Sequence, residues 1–291
     1  ARAFTGWTIQ NAEYMDLRVN NASIWPYGKI ALQFEYRSND HDDGNKWVFG
    51  EKGRFNGEDV IAVIVRQPAT AQFVSKRLYQ FFLTEEIDDA GQELIESMTQ
   101  AYMSSGYEIR SVLRTLFNSS HFKSDSVRFA HVKSPVELVV GVLRLVQVFQ
   151  SPNIKVRDAV LAVGYMGQQL FNPPSVEGWH EGLEWIDSGS LTERVNFASQ
   201  HLGDVNNPGV KSIVDRMAKE GSVLSPDHVV DRCLDLVGAL EVTEATRQQL
   251  TLTVTTEGPF DLNDLATRGY VRARVVNLLA LIASTREYQM A

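Results

Sequence analysis

The segment KSPVELVVGVLRLVQVFQ, residues 133–150, has the pattern of a buried helix with a well-defined start. Its first five residues predict a capping box, in which Ser134 is the N-cap, Pro135 takes the first helical position and Glu137 reaches back from three residues after the cap. Nearly every following position is apolar, so the helix would keep little polar surface. We therefore predict that Pro135–Gln150 forms a central helix of a mostly α-helical core.

Two charged residues interrupt this apolar helix. Glu137, Gly141 and Arg144 follow one another at spacings of four and three, which places them on one stripe. A carboxylate and a guanidinium on a buried helix must be paired or hydrogen-bonded. The spacing favours a structural role for Glu137 and Arg144, and the lining of a pocket stays open as the alternative. Lys133 beside Ser134 also has the composition of a Ser–Lys nucleophile pair, although the cap accounts for Ser134.

The chain from residue 57 onward shows helical periodicity almost throughout. Loop-forming residues separate the periodic segments, and Asn172–Gly189 is predicted to be a long irregular loop. Thr243–Thr255 is ambiguous, because part of it alternates like a strand although it lies among helices. The other predicted helices are Glu58–Arg66, Pro68–Phe82, Glu93–Met103, Glu108–Phe117, Val156–Phe171, Ser190–His201, Val210–Glu220, Pro226–Leu240 and Asp264–Thr285.

The first 55 residues differ from the rest, because they are rich in aromatic residues, Asn, Asp and Gly and hold Trp7, Trp25 and Trp47. Two strand-like segments, Ala31–Arg37 and Lys46–Phe49, flank a cluster of turn formers, which predicts a β-hairpin with a long loop. We therefore expect a mostly α, multi-helix single domain with a small N-terminal β-hairpin. An N-terminal segment, 1–56, would pack on a helical part, 57–291.

Composition and charge exclude several classes of protein. The net charge of −8 disfavours broad binding to nucleic acid, whose phosphate backbone it repels. The single cysteine, Cys233, forms no internal disulfide and is expected in the core of a helix. The most apolar stretch is shorter than the ~20 residues of a membrane-spanning helix. Because the chain begins at Ala1 without Met, we expect it to be a fragment or a processed chain whose start is missing.

The sharpest cluster of reactive side chains is His41-Asp42-Asp43-Gly44-Asn45-Lys46. An imidazole, two carboxylates and an ammonium this close together could perform acid–base chemistry or hold a cation. Neither register of an EF-hand calcium loop fits, because Gly and Glu never fall together at the positions that the loop requires. The alternative is a hairpin loop whose Asp and Asn side chains bond their own backbone.

Motifs of known enzyme classes are missing from the sequence. The six histidines form no His-Glu-x-x-His, His-x-His or His-x-x-x-His pattern, so no metal ligands are predicted. The sequence also has no Gly-x-Ser-x-Gly, no Walker motif and no dinucleotide glycine motif. We therefore assign neither a cofactor nor a catalytic residue from motifs.

The irregular loop holds two tryptophans, Trp179 and Trp185, together with Glu177 and His180, which are close enough to meet. The indoles are either a hydrophobic plug that holds the loop down or a platform for a planar or sugar-like ligand. A plug predicts that Trp179 packs against helices and donates its N–H to a backbone carbonyl. A platform predicts an exposed ring face.

Several segments, taken in order, resemble the bacterial family catalogued as domain of unknown function 1800. Any one of the motifs is weak, whereas the ordered set is specific. The family's usual Gly-Trp-Pro is replaced here by Gly178-Trp179-His180. The matching segments are ARAFTGW at 1–7, HDDGNK at 41–46, PATA at 68–71, KSPVE at 133–137, GQ at 167–168, PPSVEGW at 173–179 and Arg194-Val195-Asn196-Phe197.

This resemblance implies a cellular setting and no reaction. Members of the family are typically longer, many look exported, and they often occur beside a second family that resembles sulfatases and alkaline phosphatases. The family has no established catalytic residues that could be transferred to this chain. By resemblance, we expect an extracytoplasmic protein, periplasmic or secreted.

Two functional hypotheses follow. The first is a binding or assembly module that acts with a phosphatase- or sulfatase-like partner protein. The second is a hydrolase-like or metal-assisted enzyme with a site near His41–Lys46, Glu137/Arg144 and Trp179; it requires these distant polar segments to converge on one cleft. The candidate pocket residues are His41, Asp42, Asp43, Lys46, Lys133, Glu137, Arg144, Trp179 and Arg194.

Overall fold

The computed structural model describes residues 1–10, 33–151, 153–220, 223–255, 260–261 and 268–290. Over these residues the chain is mostly α-helical with a small N-terminal hairpin, which confirms the predicted fold class. Contacts between residues divide it into two compact units, Ala1–Tyr79 with Asp88–Ser120 and Gln80–Ile87 with His121–Ala291. The division at residues 56 and 57 and the single domain stay predictions. No helix in the described part of the chain is long and apolar enough to span a membrane.

The first unit begins with four short strands, β1 (Trp7–Ile9), β2 (Phe34–Tyr36), β3 (Lys46–Val48) and β4 (Glu51–Gly53). β1 pairs antiparallel with β2, with Trp7 opposite Tyr36, and β3 pairs antiparallel with β4, with Lys46 opposite Gly53. Strands thus form at both predicted positions, but the predicted pairing of Ala31–Arg37 with Lys46–Phe49 is wrong. Residues 11–32, including Trp25 and the start of the predicted strand, lie outside the described residues.

The tight turn between β3 and β4 explains the wrong pairing. Phe49 and Gly50 connect these strands with φ values of 45° and 83°, and two residues with positive φ are what a two-residue hairpin turn requires. Phe is a rare residue in this conformation, so the sequence gives no turn signal there. The Asp- and Asn-rich stretch at 38–45 gives a strong signal but forms a loop between strands of different sheets.

Helices complete the first unit. They are α1 (Gly57–Val65), the part of α2 (Pro68–Phe82) up to Tyr79, α3 (Asp89–Ser104) and α4 (Ile109–Asn118). Asn56 and Asp59 form a capping box at the start of α1. α3 and α4 pack against each other, and their apolar faces are buried.

The second unit is a helical assembly around α7. Its helices are α5 (Pro135–Val146), α6 (Val156–Tyr165), α7 (Ser188–Leu202), α8 (Pro208–Met217), α9 (Pro226–Gly238), α10 (Glu244–Thr255) and α11 (Arg268–Ala283). β5 (Val223–Leu224) and β6 (Phe260–Asp261) form a short antiparallel pair. α7 packs against both α5 and α11, and one hydrophobic core joins residues of all seven helices. The ambiguous segment Thr243–Thr255 is therefore helical.

The helix α5 begins where it was predicted to begin, but it is less buried than predicted. Ser134 accepts a hydrogen bond from the Glu137 N–H, and the Glu137 side chain accepts one from the Ser134 N–H. The helix ends at Val146, before Gln147 in the left-handed conformation, instead of running to Gln150. Only one side of it is buried, and Arg144 lies on the exposed side. The run of apolar residues occupies more of the helix surface than the neighbouring helices bury.

The other helices agree with the predicted ones in position, and most of them differ at their ends. α6 stops at Tyr165 instead of Phe171, because Gly167 and Phe171 both have positive φ. The loop Asn172–Gly189 is irregular as predicted, apart from a short 3-10 turn at Gly182–Trp185 and the start of α7. Of the predicted helix Asp264–Thr285, residues 264–267 lie outside the described residues.

Candidate functional site

An imidazole lies between two carboxylates at the N-terminus of α5, in the second unit. His131 Nδ1 is 2.6 Å from Glu85 Oε1, and its Nε2 is 3.8 Å from Glu137 Oε2. The same Glu137 oxygen accepts the Ser134 N–H at 2.7 Å. The side chains of His131 and Glu85 are largely buried, whereas that of Glu137 is 53% exposed. We call Glu85, His131, Lys133, Glu137 and Arg194 the α5 N-terminal cluster.

Within this cluster, His131 and Glu137 favour each other's charged forms. The Glu137 carboxylate raises the pKa of His131 against the effect of burial, and the charges of Glu85 and Glu181 raise it further. The imidazole in turn lowers the pKa of Glu137 to about 2, with help from the Ser134 N–H and hydroxyl and against burial. The contact between His131 and Glu137 therefore favours the charged form of both side chains.

Arg194, on α7, is fully buried and holds the C-terminal residues. Its Nε donates to Gln289 Oε1 at 2.9 Å, and its Nη2 donates to the backbone oxygen of Lys133 at 2.6 Å. Its Nη1 is buried without a hydrogen-bond partner among the described residues. Burial lowers the pKa of Arg194 to about 10, which leaves it charged at neutral pH.

Lys133 makes the second connection to the same residues. Its Nζ donates to the Tyr288 backbone oxygen at 2.7 Å and lies 4.6 Å from the centre of the Tyr288 ring. Its backbone N–H donates to the Gln289 oxygen at 2.9 Å. Burial, followed by the nearby charge of Arg194, lowers the pKa of Lys133 to about 8. Lys133 and Arg194 thus have structural partners, and they anchor the C-terminal residues to the start of α5.

The structure brings three predicted residues, Lys133, Glu137 and Arg194, into one cluster. Sequence reasoning missed His131 and Glu85. His131 could have been found, because it lies two residues before Lys133 in extended backbone and next to the predicted cap. Glu85 has no such signal, since it is 46 positions from His131. Among the residues that the structure describes, no group of three or more His, Cys, Asp or Glu side chains could hold a metal ion.

The His41–Lys46 loop, in the first unit, is bonded to its own surroundings. Asp42 forms a two-pronged ion pair with Arg2, at 2.6 and 2.9 Å, and accepts the Gly44 N–H. The Arg2 guanidinium holds the pKa of Asp42 well below its usual range. Lys46 is buried and donates to the backbone oxygens of Asp42 and Gly44, while Asp43 is exposed. These contacts favour the interpretation of the cluster as a loop with internal bonds.

Arg144, the other charged candidate on α5, lies on the exposed side of the helix. Arg144 is exposed and lines a cavity of about 410 Å³ with Gln147 and Phe149, and Glu137 is not among the residues that line it. Glu137 has structural partners, because it faces His131 and caps α5, whereas Arg144 lies on the exposed side of the helix. Glu137 is exposed at the start of α5, and Arg144 is exposed on its outer side. Burial therefore does not force either charged side chain to pair.

The contacts of the loop that holds Trp179 and Trp185 agree in part with the predicted hydrophobic plug. Trp179 is half-buried and donates its N–H to the Gln169 backbone oxygen at 3.2 Å, as the plug predicts. The indole that is deeply buried is Trp185, with 5% of its surface exposed. His180 contacts Glu184 at 2.9 Å.

The comparisons with known proteins add one finding. A family model described as "Protein of unknown function (DUF1800)" matches residues 1–290 of the chain. No curated protein and no solved structure matches it.

Proposed function

The chain belongs to the DUF1800 family, and from that premise we propose that it is an extracytoplasmic binding or assembly module. Its partner would be a protein that resembles sulfatases or alkaline phosphatases. Two properties implied by the family resemblance support this proposal: many members look exported, and they often occur beside such a protein.

The observation that carries the proposal is the outward face of α6. Ile154, just before the helix, is 87% exposed, and within the helix Tyr165 is 70% exposed and Leu161 is exposed as well. Leu161 and Tyr165 are four positions apart, so they lie on one side of the helix. Val163 and Met166 are buried on the other side. α6 therefore has apolar side chains on both faces. A helix at the surface of a protein without a partner needs them only on its inner face.

The loop after α6 carries two further exposed apolar side chains. Phe171 and Val176 are fully exposed. Removing exposed apolar surface from water is favourable by about 25 cal/mol for each Å² that a partner covers. Exposed apolar groups in this number are typical of surfaces that bind another protein. We call Ile154, Leu161, Tyr165, Phe171 and Val176 the α6 surface.

We commit to a different protein, rather than a second copy, as the occupant of the α6 surface. Each copy of the chain carries a net charge of −8, so two copies repel each other. A partner with an apolar patch and a neutral or basic surround would meet no such repulsion.

Co-expression with the neighbouring sulfatase- or phosphatase-like protein of the native host tests this proposal. We expect a complex that co-purifies and whose affinity falls at least tenfold in Leu161→Glu and Tyr165→Glu, because a carboxylate would enter the apolar contact. Leu252→Glu is the control, since Leu252 is exposed on a different helix. Absence of a complex, or equal affinity for all variants, would contradict the proposal.

A hydrolase-like or metal-assisted enzyme is the second candidate, and His131 is the observation that favours it. An imidazole whose pKa is raised by a neighbouring carboxylate is a suitable general acid. The site of such an enzyme would then lie in the second unit, at the α5 N-terminal cluster. Aryl phosphate, sulfate and carboxylate esters are the substrates to assay. An activity that is lost in His131→Gln and kept in His180→Gln, the control for an exposed His–Glu pair, would favour the enzyme over the module.

A further inference from the structure

A cleft runs between α10 and α11 in the second unit. It consists of two adjoining cavities of about 410 and about 450 Å³. Both are lined by Thr253 of α10 and Leu281 of α11, so these shared residues join them into one cleft. Each cavity alone falls in the size range of ligand-binding pockets, which is about 300–1,000 Å³. None of the residues discussed so far as candidate site residues lines it.

The shape of the cleft follows from the helices that form it. On α11 its lining residues recur at helical spacing, as Arg274, Leu278 and Leu281, and continue to Thr285 just after the helix. Eleven residues at the helical rise correspond to about 16 Å. An extended polypeptide covers that length with about five residues. The cleft is therefore long enough for a short extended segment.

The lining combines an apolar floor with unpaired amides. Val254 and Leu278 are buried beneath the cleft, and Leu281 is partly exposed. Asn277 on one side and Gln249 on the other are exposed, and their side-chain amides have no hydrogen-bond partner among the described residues. An amide offers both donors and acceptors, which are the groups that a peptide backbone needs.

Charge distinguishes the two ends. Arg286 lines the second cavity, is exposed and has no ion-pair partner in the described part of the chain. The neighbouring Glu287 carboxylate is occupied, because it accepts the Thr243 N–H at 3.0 Å and the Thr246 hydroxyl at 2.8 Å. At the other end, Arg274 lies 3.9 Å from the centre of the Phe260 ring and donates to the Val254 oxygen. An anionic group is therefore best placed at Arg286.

We propose that this cleft binds an extended segment of about five residues from another protein, with an acidic side chain or a terminal carboxylate at Arg286. The apolar floor takes small apolar side chains, and Asn277 and Gln249 bind the backbone. A glycan fits less well, because the aromatic ring that lines the cleft, Phe260, is fully buried and presents no face for stacking. The inference does not depend on the α6 surface, since the two surfaces share no residue.

The test uses the full chain and a displayed library of random linear seven-residue peptides. Selected peptides are synthesised, and their affinity is measured by calorimetry. Thr253→Trp places a large side chain where the two cavities join. Thr255→Trp is a matched control, because Thr255 is also exposed on α10 and also donates to the carbonyl four residues earlier, but does not line the cleft.

We expect Thr253→Trp to weaken the selected peptides at least tenfold and Thr255→Trp to leave them unchanged. Arg286→Gln should weaken acidic peptides more than their amidated or Gln-substituted versions. Failure to enrich any peptide would overturn the proposal, and so would equal binding to both Trp variants. Binding of a glycan from an array that Thr253→Trp alone abolishes would also overturn the peptide assignment. Circular dichroism of each variant checks that it has folded.

Discussion

The pKa of His131 is raised because Glu137 and Glu85 approach its ring from two sides. The stabilisation that results depends on pH in both directions. Glu137, whose pKa is lowered to about 2, stabilises the fold above its ordinary pKa of 4.5, and this contribution is lost as the pH falls through about 2. His131, whose pKa is raised, stabilises the fold below 6.5, and its contribution is lost as the pH rises through the raised value. The two overlap between about pH 4.5 and 6.5.

Glu137→Gln should therefore destabilise the protein most within that interval. The pKa change of Glu137 corresponds to about 3 kcal/mol, but half of the side chain is exposed and solvent screens the interaction, so we expect about 1 kcal/mol. Urea unfolding at pH 2, 5.5 and 9 measures this, and the difference from the unsubstituted protein should be largest at pH 5.5. Glu184→Gln, in the exposed pair with His180, is the control and should change stability by less than about 0.5 kcal/mol. A destabilisation that is equal at all three pH values would contradict the electrostatic account.

The local sequence predicts the capping box at the start of α5, but it does not predict which other side chains contact it. Ser134, Pro135 and Glu137 lie within four positions, so a capping box can be recognised from spacing alone. The contact of His131 with Glu85 depends on how the segment 80–87 folds back, and no periodicity encodes that. Glu137 was predicted correctly as a cap, but its contact with His131 was not predicted, because helical spacing places residues on a stripe without saying what faces that stripe.

Among the elements, the loop before α7 shows how an irregular segment is held in place. Trp185 lies in a 3-10 turn, and its backbone oxygen accepts the hydroxyl of Ser190 in the first turn of α7 at 2.8 Å. Trp179 is held by a single hydrogen bond to Gln169 and keeps part of its surface in water. The two indoles therefore differ in how much burial each contributes.

Trp185→Ala should cost about 3–5 kcal/mol, the usual range for a buried aromatic residue. Trp179→Ala should cost less, about 1–2 kcal/mol, because less apolar surface is returned to water and one hydrogen bond is lost. Thermal and urea unfolding of both variants compare the two positions. An equal or larger loss in Trp179→Ala would show that Trp179 is the main anchor. The sequence predicted a plug in this loop but could not rank two tryptophans six residues apart.

Helix positions were predictable from sequence, and helix ends were less so. α2 begins at Pro68 and ends at Phe82 as predicted, because Pro at the first position and regular apolar spacing act locally. α6 ends six residues before its predicted end because residues after it adopt positive φ, and one of them is Phe171 instead of glycine. The apolar outer face of α6 also misleads periodicity analysis, which assumes that apolar residues point inward.

Across the whole molecule, the α5 N-terminal cluster joins segments that are far apart in sequence. Residues near 133, Arg194 on α7 and residues 288–290 meet there, and Val132 forms an isolated β-bridge with Met290. Sequence reasoning identified Lys133 and Arg194 as candidates but could not foresee that they serve the C-terminal residues. Contacts between residues more than 150 positions apart, such as that of Lys133 with Tyr288, have no signature in composition or spacing.

The C-terminal residues contact the start of α5 through hydrogen bonds. Removing one hydrogen-bond acceptor from this junction tests how much the junction stabilises the second unit. In Gln289→Met, the Nε of the buried Arg194 loses its hydrogen bond and cannot reach water, which should cost about 1–3 kcal/mol. Gln248→Met is the matched control, because Gln248 is exposed and bonds only the exposed Glu244; we expect a change below about 0.5 kcal/mol.

A chain that ends at Arg286 should lose more than Gln289→Met does, because Lys133 then also loses the backbone oxygens of Tyr288 and Gln289. Urea unfolding measures all three variants, and hydrogen exchange of the N–H groups in the first turn of α5 reports the junction directly. We expect faster exchange there in the shortened chain and in Gln289→Met, and no change in Gln248→Met. If the shortened chain were as stable as the full one, the charges of Lys133 and Arg194 would have to be kept for another purpose, and binding of an anion between them would become the explanation to test.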